Sequence, residues 1–367
     1  MEIISLNKAA LLEYVNSNSF EKEANLPISF HRALSHANNP RANVNDILLF
    51  LAKEGEELIG YMGVLPDLFF PEHQPIVKVG WVTCAWVKKK HRGKGIIGNL
   101  FTEAHFKYNG NLLSYDYVQG TKRMYDATGF FAHKPLAKNG IRLYIKSDFQ
   151  RILAPKSSLF RKSEIVLKGL DAAGNSMLNL YQSGKAFPID DLKLETVTGI
   201  NDSLNQFITE QTNKTYFQRQ GRELKWILAS PWVVEKDKKT DLDNRYYFSS
   251  SAKEFKNLAF QLKDEHGKIT AFFFFTVRNG VVKLPYFFST IPSKDSVLVI
   301  NHLLQKWGAK EFTSFHPKLV SALKETKTMA FHKKEVNRYL VVDKQLSKSI
   351  THVNLFMQDG DGDAAFT

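Results

Sequence analysis

The chain has 367 residues, 43% hydrophobic and 24% charged, a globular balance, and at this length two cores are expected rather than one. Its single cysteine, Cys84, excludes an internal disulfide and a cysteine-built zinc site, and no apolar run nears the ~20 residues that span a bilayer. The net charge of +13 suits an anionic ligand or a nucleic acid, but the basic residues are scattered and cluster only at Lys88–Lys94 and Lys236–Lys239, so the charge permits such partners without identifying one.

The first residues lack the basic start and apolar core of a secretory signal, so a cytoplasmic chain is expected. Residues 1–6 read as a strand and Lys8–Val15 as a helix with Asn7 as N-cap. Pro27, Asn38, Asn39 and Pro40 divide the next stretch into short pieces. One of them, Phe30–Ala37, is helix-like and carries His31, Arg32 and His36, which either touch an acceptor or are surface and internally satisfied side chains. Asp46–Lys53 and Glu57–Val64 form a hairpin across Glu54-Gly55-Glu56, and Ile76–Lys88 is a long strand.

That strand runs into a basic turn, Lys88-Lys89-Lys90-His91-Arg92-Gly93-Lys94-Gly95. A helix follows from Ile96 to Tyr108, with Ile97, Leu100, Phe101, Ala104 and Tyr108 spaced as one buried face. Strand, flexible basic turn, helix is an arrangement that holds phosphate. The first N–H groups of the helix lack intrahelical partners, the helix dipole adds positive potential, and Gly93 and Gly95 let the backbone approach a ligand. Gly98 in the first turn costs about 1 kcal/mol against alanine, so close packing against it is expected.

The turn resembles the pyrophosphate loop of the GCN5-related N-acetyltransferases (GNAT), Arg/Gln-x-x-Gly-x-Gly/Ala: Arg92 and Gly95 match, and Ile97 departs at the last position. Tyr125-Asp126-Ala127-Thr128-Gly129-Phe130 is similar to the Tyr-x-x-x-Gly-Phe of the same family. The resemblance implies an α/β (α+β) fold with a mixed, mostly antiparallel GNAT-type sheet flanked by helices. Leu112–Val118 would be its fifth strand, Gly120–Thr128 a short helix and Ile141–Lys146 the last strand. It implies acetyl-CoA, or another acyl-CoA, as cosubstrate, held by Trp86, Val87, Arg92, Gly93, Lys94, Gly95, Ile96 and Ile97. It makes Tyr125 the general acid, with aromatic packing as its other reading. The glutamate that many relatives carry on the fourth strand is missing, and Asp116 is the nearest carboxylate in sequence to serve as base, through a water relay. A covalent role for Cys84 is not expected, because it sits within an apolar strand with no evident base beside it.

Arg151–Ile189 is loosely patterned and reads as a partly helical connector. From Leu192 a second α+β pattern begins. It contains β-rich runs at Leu258–Asp264, Thr270–Arg278 and Val281–Phe288, the last two joined by the hairpin signal Asn279-Gly280, and then a helix over Asp295–Trp307. The expected organisation is a GNAT acyl-CoA-binding domain at 1–150, a connector at 151–190, a second GNAT-like domain without the loop at 191–346, and an acidic tail at 347–367. The tail's Asp359, Asp361 and Asp363 lack the further positions of an EF-hand loop; a flexible end is expected, or one that folds back over the cleft. No metal is expected.

Together these readings point to an acyl-CoA-dependent N-acyltransferase, most simply an N-acetyltransferase. It would act on a primary amine of a small molecule such as an amino sugar, by direct attack in a ternary complex. Two alternatives stand beside it. A Fem-type aminoacyl-tRNA-dependent transferase would fit the charge but leave the CoA loop surplus. A non-catalytic nucleotide- or nucleic-acid-binding module would fit the departure at Ile97.

Overall fold

In the computed structural model, which describes residues 1–115, 119–153, 157, 160, 163–189, 192–350 and 356–366, the chain forms two units, each discontinuous in sequence. The first comprises Met1–Ala137, Val197–Asn257 and Arg338–Thr367, and the second Lys138–Thr196 and Leu258–Asn337. Residues 197–257 therefore lie in the first unit, where the linear division assigns them to the second segment.

The sheet of the first unit takes strands β1 (Glu2–Leu6), β2 (Leu49–Glu54), β3 (Glu57–Phe69), β4 (Val77–Val87) and β5 (Leu112–Tyr115). β1 to β4 pair antiparallel in chain order, and β5 returns parallel to β4. Helix α1 (Lys8–Val15), capped by Asn7 Oδ1 on Ala10 N–H, is followed by the short α2 (Asn18–Lys22) and by α3 (Phe30–Ala37). Side-chain alternation along β2 separates two cores. Leu49 and Leu51 join Leu11, Val15 and Ala33 of α1 and α3 on one face. Phe50 and Ala52 join α4 (Ile96–Lys107) on the other. There Ile96, Leu100, Phe101 and Ala104 are buried, and Ile97, assigned to that face from its spacing, is only partly so. Gly60 allows this contact: a Cβ there would stand 3.0 Å from Ile96 Cγ2 and 3.2 Å from the Trp86 carbonyl oxygen. Gly98 has no such reason, because a Cβ on it would meet nothing within 4 Å.

α5 (Gln119–Thr128) and β6 (Phe131–Tyr144) follow β5, and β6 passes from the first unit into the second. The second unit contains β7 (Lys193–Thr196). After the short β8 (Val234–Glu235) and β9 (Ser251–Ala252) of the first unit come β10 (Phe255–Lys263), β11 (Ile269–Arg278), β12 (Val281–Ser289) and β13 (Glu311–Ser314). The Asn279-Gly280 turn joins β11 to β12, both residues at positive φ (50° and 80°), as the sequence predicts. β12 and β13 are parallel and are linked by the helix Ser293–Lys306, whose Val297, Ile300, Leu303 and Leu304 enter a phenylalanine-rich core. Each unit thus contains a parallel strand pair bridged by one helix, β4–α4–β5 and β12–helix–β13. Only the first has the glycine-containing basic turn.

The acidic tail is not a flexible end. β14 (His332–Asp343) pairs with β5, and the chain then returns so that Asp361 is fully buried and Phe366 stacks on Trp232 at 4.6 Å. Gly362 lies against the Trp81 ring, where a Cβ would come within 2.9 Å. The anchor of this arrangement is Asp67 on β3, which is fully buried. Its carboxylate accepts from Arg41 Nη1 (2.8 Å), Arg219 Nη1 and Nη2 (3.0 and 2.5 Å), Trp81 Nε1 (3.0 Å) and Leu68 N–H (2.8 Å). Arg41 Nε also donates to Glu223, and Arg219 Nε lies 3.5 Å from Asp361. Burial alone would raise the Asp67 pKa; Arg219 and then Arg41 overcome it and hold the group ionised.

Replacing Asp67 by Ala removes the carboxylate that two buried guanidinium groups share, so Asp67→Ala is expected to cost about 3–5 kcal/mol in a urea unfolding series. A loss under about 1 kcal/mol would show that the network does not hold the unit together.

Candidate active site

The site grows from an interruption of the sheet. β4 and β5 pair only at Gly80–Leu112 and Trp81–Leu113 among the described residues, although β4 continues to Val87. The β3–β4 register slips by one residue, from Gly63–Thr83 to Tyr61–Trp86, so β4 bulges between them. Cys84 in the bulge has φ +48°, a left-handed conformation that costs a non-glycine residue on the order of 1 kcal/mol. Beyond the bulge, Ala85, Trp86 and Val87 border a cleft of about 500 Å³.

The basic turn closes one end of this cleft. Gly93 and Gly95 take φ of 81° and 75°, conformations open to glycine, and Gly95 is the N-cap of α4. Helix geometry leaves the N–H groups of Ile96, Ile97 and Gly98 without intrahelical acceptors, and the helix dipole adds positive potential there. Arg92 Nε donates to the Val87 carbonyl (3.1 Å), which fixes the turn to the end of β4. Lys88 and Lys90 are both engaged with Glu57, and their hydrogen bonds hold its carboxyl down at about 2. Arg92, Gly93, Gly95, Ile96 and Ile97 line the cleft, while Lys94 is exposed on the same turn and does not line it. His91, Met124 and Tyr247 complete the lining. Tyr247 stands 160 residues from Val87, and nothing local in the sequence marks it.

The two expected catalytic residues fare differently. Asp116 lies outside the described residues. Tyr125 is buried among Phe101 and Phe131, which meet its ring edge-on at 5.2 and 5.1 Å. Its hydroxyl donates to Ser114 Oγ over 2.7 Å, and burial pushes the phenol up to about 12. Its neighbour Met124, not Tyr125 itself, lines the cleft. Among the described residues no group of three or more His, Cys, Asp or Glu side chains is placed to hold a metal ion. No helix among them is long and apolar enough to cross a membrane.

A parallel β4–α4–β5 unit that opens beyond its second pair, with an N–H-rich turn at the mouth, can hold a diphosphate at the turn and an extended amide-bearing arm along β4. No family profile and no curated protein sequence matches the chain. Solved structures do. A conserved protein of Enterococcus faecalis V583, described as a probable N-acyltransferase, aligns with a TM-score of 0.53 at 11% identity, over 94% of this chain and 73% of that one. Saccharomyces cerevisiae N-myristoyltransferase, solved with bound myristoyl-CoA, aligns with a TM-score of 0.51 at 12% identity, over 92% and 82%. The chain has the GNAT fold. At these identities the likeness is one of fold, and it agrees with the mixed, mostly antiparallel sheet expected from the sequence.

On the face of the sheet opposite α4, α3 carries Arg32 and His36 into the interior. Burial, reinforced by Arg32, drives the His36 pKa well below 6.5, and burial also lowers that of His31. The folded protein therefore keeps His36 neutral where the unfolded chain binds a proton. Stability is retained above about pH 6.5 and lost as pH falls below it, by up to ~1.4 kcal/mol per pH unit for each such histidine. Carboxylates such as Asp67 and Glu57 titrate at lower pH and do not overlap this window. Urea midpoints at pH 7.5, 6.5 and 5.5 should fall with pH, and His36→Gln should remove its share of the slope. An unchanged slope in the variant would show that His36 is not held neutral.

Proposed function

We propose that this protein is an acyl-CoA-dependent N-acyltransferase acting on a primary amine of a small molecule. The observation that carries the reading is the cleft itself: the end of β4, unpaired with β5 among the described residues, and the glycine-containing N-terminus of α4 border one cavity. In this reading the N–H groups of the turn and of Ile96 and Ile97 hold the diphosphate of CoA, with Arg92 beside them. Main-chain groups of Ala85 to Val87 hold the pantetheine amides. When bound, the acyl-CoA supplies an electrophilic thioester carbonyl. In the same reading an N–H near Trp86 or Val87 stabilises negative charge on the carbonyl oxygen, as an oxyanion hole does.

Tyr125 remains the proton donor suggested by its motif. Its phenol keeps its proton through the neutral range, because burial holds it at about 12. The glycine-free connection between β12 and its helix supports a second half that keeps the strand–helix–strand frame without a CoA site. The yeast N-myristoyltransferase was solved with a long-chain acyl-CoA, so chain length here is best measured over a series from acetyl to myristoyl.

Calorimetric titration of that series into the purified protein should give micromolar binding for at least one member. Arg92→Ala should weaken it by tenfold or more. A protein that binds no acyl-CoA of any length is not this enzyme. Tyr125→Phe distinguishes acid from packing. As acid, Tyr125 supports turnover by 10²- to 10⁴-fold at unchanged acyl-CoA affinity. As packing, its loss leaves turnover intact and costs about 1 kcal/mol for the hydrogen bond to Ser114.

A further inference from the structure

Arg32 is buried against the bulge of β4. Its Nη1 donates to Cys84 Sγ and, over 3.0 Å, to Tyr246 Oη, while its Nε reaches His36 Nε2 at 3.4 Å. The guanidinium lies 3.8 Å from the centre of the Trp232 ring. None of these partners is an anion in the neutral range. Burial raises the Cys84 thiol and the Tyr246 phenol, and it keeps the His36 imidazole neutral. Asp363 contributes a carboxylate field at Arg32, with no hydrogen bond between the two among the described residues. A buried cation without a bonded anion is costly, and proteins keep such an arrangement where a ligand supplies the charge.

The surrounding atoms point the same way. Arg32 Nη2, His36 Nδ1, Tyr61 Oη and Thr83 Oγ1 are all buried and make no hydrogen bond among the described residues. Arg32 bonds to His36, Tyr61 lies within the field of Arg32, and Gly63 stands between His36 and Thr83. A Cβ on Gly63 would stand 2.7 Å from Thr83 Oγ1 and 3.8 Å from His36 Cε1, and Tyr61 stacks on Trp86 at 5.2 Å. An unpaired buried polar group costs roughly 1–3 kcal/mol, so several in one place mark a site whose partners come from outside. The cluster adjoins the cleft: half-buried Cys84 precedes Ala85, Tyr246 precedes Tyr247, and Ala85, Trp86 and Tyr247 all line it.

We infer that Arg32, Tyr61 and Thr83 form a carboxylate-binding acceptor subsite, so that the acceptor is a small amine bearing a carboxylate a few bonds from its nitrogen, an amino acid rather than a neutral amino sugar. A guanidinium with a spare N–H, flanked by two hydroxyl groups that can donate, matches a carboxylate's oxygens. At ~3.3 Å per strand residue, Cys84 stands about 3–10 Å along the strand from Ala85 to Val87, the span of a short amino acid between its amine and its carboxylate. The inference rests on the acyltransferase reading for the amine's role, whereas the carboxylate contact stands on Arg32 and its neighbours alone.

The test uses the full-length protein and needs no acyl-CoA for its first arm. Glycine, β-alanine and a panel of larger amino acids are titrated by calorimetry beside their amides and beside glucosamine. At least one amino acid should bind tenfold or more tighter than its own amide, and Arg32→Gln should erase that preference. Because Arg32→Gln can fail to fold, Tyr61→Phe provides a second variant. It deletes an unpaired hydroxyl, so it should preserve or raise the melting temperature while weakening amino-acid binding several-fold. In the second arm, thiol release from acetyl-CoA should show the same preference in kcat/KM. Amino acids and amides that bind alike, or a Tyr61→Phe protein with unaltered amino-acid affinity, would overturn the inference. Absence of acyl-CoA binding alone would strike the acyltransferase reading and leave the first arm to decide this one.

Discussion

A single buried carboxylate organises the unit that carries the site. Asp67 receives five hydrogen bonds, from Arg41, Arg219, Trp81 and the Leu68 N–H, and the two arginines reach on to Glu223 and Asp361. These residues come from all three segments of the first unit. Hydrophobic burial is non-directional and would tolerate several arrangements of those segments. A carboxylate that must be matched by two guanidinium groups at hydrogen-bonding distance tolerates far fewer, because each misplacement leaves a buried charge unpaired. The network sets where the tail and residues 197–257 lie against β3 and β4, and Tyr246, Tyr247 and Trp232 are delivered to the cleft region as a consequence.

The cleft is a defect in a sheet that is otherwise well paired. β4 is hydrogen-bonded to β3 over most of its length, so the one-residue bulge at Cys84 cannot be absorbed by sliding the strand. It is absorbed locally, as a left-handed residue and a change in the direction of the strand's free edge. β5 parts from β4 just before the bulge, and α4 begins just after the turn. Strain at Cys84, an open strand edge and an N–H-rich helix start therefore converge within about a dozen residues of chain, on a scaffold that the Asp67 network and two cores hold rigid.

That convergence was legible in the sequence because it is local. Arg92, Gly93, Gly95 and the helical spacing after Ile96 lie next to one another, and the Asn279-Gly280 hairpin is equally self-contained. Contacts between distant segments were not legible. Nothing near Asp67 announces Arg219 or Asp361, and nothing near Cys84 announces Tyr246. The acidic tail misled for a physical reason: three aspartates and two glycines read as solvated chain. Yet Asp361 meets Arg219, Gly362 is the residue that fits against Trp81, and Phe366 brings a ring to stack on Trp232. Gly98 misled in the opposite direction. Its cost to the helix suggested a close neighbour, and open space surrounds it, for which the structure offers no packing reason.

Two buried arginine environments in one unit show how the same residue type can serve architecture or chemistry. Arg41 meets two carboxylates and three backbone carbonyls, so its charge and donors are matched within the fold. Arg32 meets a thiol, a phenol, an imidazole and an indole face, and one of its terminal nitrogens has no acceptor among the described residues. Burial is similar for the two, at 5% and 4% exposure, so burial does not separate them. The separation lies in the polar accounts of each group. A matched charge resists every rearrangement, because any movement breaks a bond that water cannot replace. An unmatched one favours whatever brings the missing oxygen, and beside an opened strand edge that is a property of a binding site rather than of a core.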